Sequence, residues 1–190
     1  MSYDIEVWDP RDHDMTTEVF LNNMLAFAWE IRLLDKDSVI ITDLAHAEAL
    51  LAWDATYEPT TIFEERYRPG VRYADSDVPD SEANFLIFCY MDIAVESIAD
   101  WSEEELNETF GVEHLPSFLP RLTDNKVRRY YFTGSAHPYR VFLMYDLAKV
   151  IAWTLDGIFY DPQEGKSSII TDLSATEASP IERFNALIQS

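Results

Sequence analysis

Five carboxylates recur every four residues in the middle of the chain, and they are the side chains whose types and spacing best suit chemistry. They are Asp92, Glu96, Asp100, Glu104 and Glu108. If a helix begins near Asp92, these side chains share one face, because residues four apart are neighbours on a helix. Such a ridge could form a surface for a cationic partner.

A ridge of like charges on one helix is unfavourable in itself. Each contact between like charges at positions i and i+4 costs roughly 0.2–0.5 kcal/mol, so four contacts cost about 1–2 kcal/mol. A merely solvated helix more often mixes Lys with Glu, which favours a ridge that faces a partner, and an ordinary solvated face is the alternative. Ser102 and Glu105 have the spacing of a capping box, and a helix that begins there would divide the ridge in two.

The ridge belongs to a longer acidic stretch. Residues 73–120 contain twelve carboxylates and no Lys or Arg, in a chain whose formal net charge is -21. Such an excess destabilises a compact domain through self-repulsion, so it indicates a basic partner, a need for solubility or a salty cell. Arg128 and Arg129 follow the stretch, and the main counter-hypothesis is that they neutralise it from within.

Composition indicates one globular domain spanning residues 1–190. The chain is 47% hydrophobic and 14% aromatic, so it can bury a substantial core. The order of predicted strands and helices favours the α+β class, with a mixed or antiparallel sheet packed against several helices.

Hydrophobic periodicity places the elements of that fold. Gly111 is the predicted end of the helix that Ser102 begins. The apolar run 84–91 is predicted to be a central strand that leads into the acidic helix. Strands are predicted at 3–8, 38–42, 60–68, 126–133, 157–160 and 167–171, and helices at 15–34, 43–56, 139–154 and from 179 onwards.

No known catalytic, metal or cofactor motif is present in the sequence. His13, His46, His114 and His137 are scattered, and the acidic segment 75–80 lacks the Gly and the Glu of a calcium loop. Neither Gly-rich phosphate-binding pattern occurs. We therefore expect no enzyme activity, no metal and no cofactor. Cys89, the single cysteine, is expected to be a buried thiol.

Two segments resemble small bacterial immunity proteins that are encoded beside secreted polymorphic toxins, including toxins of type VI secretion. They are residues 1–8 and the unit from Ala148 to Gln163. The resemblance implies a non-enzymatic, cytoplasmic inhibitor of a cognate toxin. An acidic ridge could mimic the phosphates that a nuclease binds in its basic cleft, so a nuclease is the leading partner.

The predicted partner-binding residues are the five ridge carboxylates with Trp101 as an aromatic anchor, because interface hot spots favour Trp and Tyr. Phe110, Phe118 and Tyr73 are further candidate anchors. The negative charge argues against binding to nucleic acid or membrane. The aromatic content leaves room for a homodimer. Alternatives are a phage-type DNA mimic that inhibits a host nuclease, a hydrolase that uses paired carboxylates, and a halophilic protein.

Overall fold

The computed structural model describes residues 2–12, 16, 18–19, 31–34, 45, 61–66, 86–135 and 138–173. Seven of its segments are strands: β1 (Ser2–Asp9), β2 (Ile31–Leu34), β3 (Thr61–Arg66), β4 (Leu86–Ser97), β5 (Lys126–Ser135), β6 (Ile158–Asp161) and β7 (Lys166–Ile169). They form one sheet in the order β2-β3-β4-β5-β1-β6-β7. Every pairing is antiparallel.

Three helices are described from end to end: α1 (Glu103–Phe110), α2 (Leu115–Phe118) and α3 (Pro138–Leu155). A 3-10 turn, Leu119–Arg121, follows α2. The antiparallel sheet and its helices confirm the predicted α+β class. In the described part of the chain, no helix combines the length and the apolar character needed to cross a membrane.

The long helix α3 covers one face of the sheet. Along β1, Ile5 and Val7 point to this face, because side chains two apart in a strand lie on the same side. Both are fully buried, as are their partners across β5, Phe132 and Tyr130. Four residues of α3, Met144, Ala148, Ile151 and Leu155, are also fully buried, and α3 contacts β1, β4, β5 and β6.

The two short helices cover part of the opposite face. Their buried side chains, Phe110 and Phe118, join a cluster with Trp8 of β1 and Val127 of β5, together with Ile98, Ile158 and Tyr160. The Phe110 ring lies 4.9 Å from that of Phe118 and 5.6 Å from that of Trp8, centroid to centroid. The fold is therefore three layers over its described part, with α3, the sheet, and α1 with α2.

One predicted element is wrong in a way that matters for function. The segment after residue 91 does not become a helix, because β4 continues to Ser97 and pairs with β5 to its end. Ile93 is fully buried, whereas Asp92 and Ala94 are partly exposed, which is the alternation of a strand. The helix predicted at 15–34 is likewise wrong at its end, since Ile31–Leu34 is β2.

Most other predictions within the described residues are confirmed. These are the strands at 3–8, 60–68 and 126–133, the helix at 139–154, the hairpin of β6 and β7, and the helix that Ser102 begins and Gly111 ends. Several predictions lie outside the described residues: the strand at 38–42, the helix at 43–56 apart from residue 45, the loop 74–83, the last helix and the side chain of Cys89.

Candidate functional site

A capping box formed by neighbouring residues fixes the start of helix α1. The backbone N–H of Glu105 donates to Ser102 Oγ at 3.2 Å, and the backbone N–H of Ser102 donates to Glu105 Oε2 at 2.7 Å. This reciprocal capping box satisfies two N–H groups that the helix leaves unpaired. The hydrogen bonds from Ser102 lower the pKa of Glu105, so this carboxylate has a structural role as part of the helix cap.

The end of α1 is fixed against the sheet. Gly111 has φ 77°, a conformation that glycine adopts without strain. A Cβ at this position would lie 2.5 Å from Ser167 Oγ of β7, so glycine also allows the close approach of the helix end to the strand. The two ends together hold α1 in one orientation across the sheet.

The outer side of α1 is an acidic face formed by Glu103, Glu104, Asn107 and Glu108. These residues line an open depression of about 720 Å³. The three glutamates form no ion pair with any cation in the described part of the chain. Since Glu104 and Glu108 are four apart on one helix, their carboxylates repel each other. We call this surface the α1 face.

The sheet carries the other predicted ridge residues. Asp92 and Glu96 lie on the side of β4 that points away from α3, four residues and therefore about 13 Å apart along the strand. Asp100 is exposed in the turn before α1. The predicted single ridge is therefore wrong, because a strand and a turn precede the helix and only Glu104 and Glu108 share a helical face.

A cation from the sheet partly neutralises this second acidic region, as the counter-hypothesis predicted for Arg129. Arg129 Nη2 lies 2.8 Å from Glu96 Oε1, and Nη1 lies 3.7 Å from Glu6 Oε1. Its guanidinium carbon is 5.5 Å from the centre of the Trp8 ring and 5.4 Å from that of Tyr131. We call Glu6, Trp8, Glu96 and Tyr131 the Arg129 cage.

Three members of the cage, Glu6, Trp8 and Tyr131, were not predicted from the sequence, and Glu6 is the charged one among them. It is 9% exposed, and burial raises its pKa against the opposing effect of Arg129, while Glu96 raises it further. Burial also raises the pKa of Tyr131 to about 12, and a hydrogen bond with Asp4 adds to the rise. The alternation of β1 could have revealed Glu6, since Asp4, Glu6 and Trp8 share the face opposite Ile5 and Val7.

Arg128 neutralises a different acid on the other side of the sheet. It lies opposite Asp9 in the pairing of β1 with β5, and its Nη1 is 3.6 Å from Asp9 Oδ2. Both residues are buried. Burial raises the pKa of Asp9 to about 6, against the lowering effects of a hydrogen bond from the Arg11 N–H and the charge of Arg128. Arg128 thus pairs with an acid of β1 that lies outside the acidic stretch, and its predicted role in neutralising that stretch stays a prediction.

The predicted aromatic anchors lie mostly in the core. Phe110 is fully buried and Phe118 is 2% exposed, so neither offers a surface to a partner in this structure. Trp101 is half-buried, and its ring stacks on Phe110 at a centroid distance of 5.7 Å. Its predicted role in partner binding stays a prediction. Tyr73 lies outside the described residues.

A polar cluster at the opposite end of β1 ties the hairpin to α3. The hydroxyl groups of Tyr3 and Tyr145 both donate to Asp161 Oδ2, the former at 2.8 Å. Asp161 Oδ1 accepts the backbone N–H of Gln163 at 3.0 Å. Burial raises the pKa of both tyrosines, so the phenols stay protonated and act as hydrogen-bond donors. The cluster has a structural role in holding the turn after β6.

Within the described residues, no group of three or more His, Cys, Asp or Glu side chains is placed to hold a metal ion. His13, His46 and His137 lie outside those residues. Searches of protein families, of curated proteins and of solved structures found no match to the chain. The functional argument therefore depends on the charges and contacts of the α1 face and the Arg129 cage.

Proposed function

We propose that this protein is a non-catalytic inhibitor that binds a basic protein through the α1 face, and that its target is a cognate secreted toxin whose active site accepts nucleic acid. The observation that carries the proposal is the uncompensated charge of that face. Glu103, Glu104 and Glu108 project from one short helix without a cation from the described part of the chain. Their mutual repulsion is relieved when a cationic surface approaches.

The arrangement of that charge supports a nuclease as the target. A nuclease cleft presents Lys and Arg side chains spaced to meet successive phosphates of a nucleic acid backbone. Carboxylates on a rigid helix can occupy the same positions, and the N-terminal capping box keeps that helix in place. Opposite charge also accelerates encounter, with association rate constants of up to about 10⁸–10⁹ M⁻¹s⁻¹ at low salt.

The resemblance of the chain ends to immunity proteins supports the same class of function. An inhibitor of a toxin that the cell itself makes must bind before the toxin acts, so fast association is an advantage. A net charge of -21 suits this requirement.

The proposal is tested by charge reversal with a matched control. The variant Glu104→Lys/Glu108→Lys changes the α1 face, and Glu18→Lys/Glu164→Lys makes the same change in net charge at exposed sites elsewhere. We expect the first variant to associate with the toxin encoded beside this gene roughly tenfold or more slowly at low salt and to lose protection in a co-expression assay. The control variant should protect cells fully.

Circular dichroism of both variants checks that the fold survives. Equal protection by the two variants would show that the α1 face does not bind the toxin. If the α1 variant protects cells fully and its association with the toxin does not depend on salt, electrostatic attraction does not contribute to binding.

A further inference from the structure

The surroundings of Arg129 have the chemistry of a binding site for a guanidinium group. Guanidinium ions bind well where carboxylates meet their N–H groups and aromatic rings meet their faces. Glu96 and Glu6 supply the carboxylates, and Trp8 and Tyr131 supply the rings at 5.5 and 5.4 Å. These four residues come from three neighbouring strands of a hydrogen-bonded sheet, so the cage is rigid.

The chain's own arginine fits this cage imperfectly. Arg129 makes one short ion pair, to Glu96, while the distance from its Nη1 to Glu6 is 3.7 Å, too long for a hydrogen bond. Its Nε–H is buried and has no hydrogen-bond acceptor in the described part of the chain. A buried donor without an acceptor is unfavourable, so another guanidinium in a better orientation could bind more strongly.

The cage is open to solvent on one side. The side chains of Arg129 and Glu96 are 29% and 28% exposed, whereas Trp8 is 2% exposed beneath them. A group that replaces Arg129 can therefore enter from the surface, and Arg129 can swing outward, because its stem is flexible.

We propose that Glu6, Trp8, Glu96 and Tyr131 form a guanidinium-binding site that Arg129 occupies in the free protein, and that an arginine side chain of a partner displaces Arg129 when it binds. The displacement rests on the proposed function, since it requires a basic partner. The binding site itself does not, because a free guanidinium salt can test it.

The first experiment empties the cage and offers it a small ligand. Ethylguanidinium chloride, which matches the end of an arginine side chain, is compared with ethylammonium chloride at equal concentration. The melting temperature of Arg129→Gln should rise by roughly 2–4 °C more with ethylguanidinium, once the ligand is well above its Kd. The wild type, whose cage is filled, and the variant Arg129→Gln/Glu96→Gln should respond equally to the two salts.

A second variant covers loss of folding. Arg129→Lys keeps a positive charge and a long side chain, but its ammonium does not fill the space that the planar guanidinium occupies in the cage. If Arg129→Gln is unfolded without ligand, recovery of its circular dichroism by ethylguanidinium but not by ethylammonium supports the site. An equal response of both Arg129 variants to the two salts overturns it.

The displacement is tested with peptides of six arginines or six lysines. Arg129→Gln should bind the arginine peptide roughly three- to tenfold more tightly than the wild type does, since the competing side chain is gone. The gain for the lysine peptide should be smaller and should reflect the change in net charge alone. Equal gains for the two peptides overturn the displacement.

The outcomes separate this proposal from the function proposed above. Adding Glu104→Lys/Glu108→Lys to Arg129→Gln leaves the cage residues intact, so the ethylguanidinium response should persist although toxin binding is lost. A cage that binds guanidinium in a protein whose α1 reversals still protect cells would refute the proposed function alone. A cage without guanidinium preference would refute the present proposal alone.

Discussion

The two acidic regions of this molecule differ in how their charge is balanced. On the sheet, Glu96 and Glu6 share Arg129, and on the opposite face Asp9 pairs with Arg128. On the α1 face, three glutamates stand together without a cation from the described part of the chain. The sheet acids are thus part of the folded structure, while the charge on α1 is the charge that we propose an external partner neutralises.

This contrast follows from burial. A carboxylate that is removed from water needs a nearby cation or several hydrogen bonds, because desolvation of the charge is otherwise too costly. An exposed carboxylate on a helix keeps its hydration and needs neither. Pairing therefore identifies the acids whose position the fold requires, and the α1 glutamates have no such pairing within the described residues.

The largest expected effect comes from breaking the buried pair of Asp9 and Arg128. Arg128→Ala leaves Asp9 buried without its cation and should lower the free energy of unfolding by about 3–5 kcal/mol. Urea denaturation measures this loss. The double variant Asp9→Leu/Arg128→Met, which removes both charges and fills the space, should recover most of it. If Arg128→Ala were nearly neutral, burial would not explain why the sheet acids are paired.

A smaller effect, visible only as a pH dependence, is expected from Asp9→Asn. The folded-state pKa of Asp9 is about 6, above its ordinary value of 3.8, so the folded state binds the proton more tightly than the unfolded state. The Asp9 contribution is therefore fully present below pH 4 and is lost as the pH rises through 6. Relative to wild type, Asp9→Asn should gain up to about 3 kcal/mol between pH 4 and pH 7.

This dependence is read from urea denaturation of both proteins at several pH values, since a constant offset between them cancels in the comparison. Asp100→Asn, the same substitution at an exposed turn, is measured alongside as the reference. A pH dependence of Asp9→Asn no larger than that of this reference would contradict the raised pKa of Asp9.

The smallest effect, a gain in stability, is expected on the α1 face. Glu108→Lys replaces a repulsive contact with Glu104 by an attractive one in the favourable order, and it places a cation near the end of the helix. The free energy of unfolding should rise by roughly 0.5–1 kcal/mol, measured by thermal or urea denaturation. A loss of stability would show that Glu108 has a structural role, contrary to the proposed difference between the α1 glutamates and the paired acids of the sheet.

Local signals in the sequence predicted α1 well. Ser102, Glu105 and Gly111 define both ends of the helix through contacts within a few residues, so no knowledge of distant parts was needed. The β6–β7 hairpin was predictable for the same reason, because the periodicity of the two strands and the residues of the turn between them are local signals. The fold class followed from the order of such locally predicted strands and helices.

The acidic ridge could not be predicted correctly from spacing alone. Residues four apart share a face both on a helix and on a strand, so Asp92 and Glu96 fit either element. The deciding signal was the alternation of β-branched Ile93 and Val95 with the acids, which favours a strand. Arg128 and Arg129 are adjacent in β5, so their side chains point to opposite faces of the sheet. They therefore pair with different acids, Arg128 with Asp9 and Arg129 with Glu96.

The fit of Gly111 against Ser167 has a consequence for the thermodynamics of recognition. A surface that must become ordered on binding loses part of its interaction free energy to conformational entropy, at roughly 0.5–1.5 kcal/mol for each flexible side chain immobilised and more for a backbone segment. The close approach at Gly111 and the capping box at Ser102 hold the α1 backbone in place before any partner arrives. If the α1 face binds a basic partner as proposed, replacement of Gly111 by a larger residue should weaken that binding mainly through entropy, with every carboxylate still present.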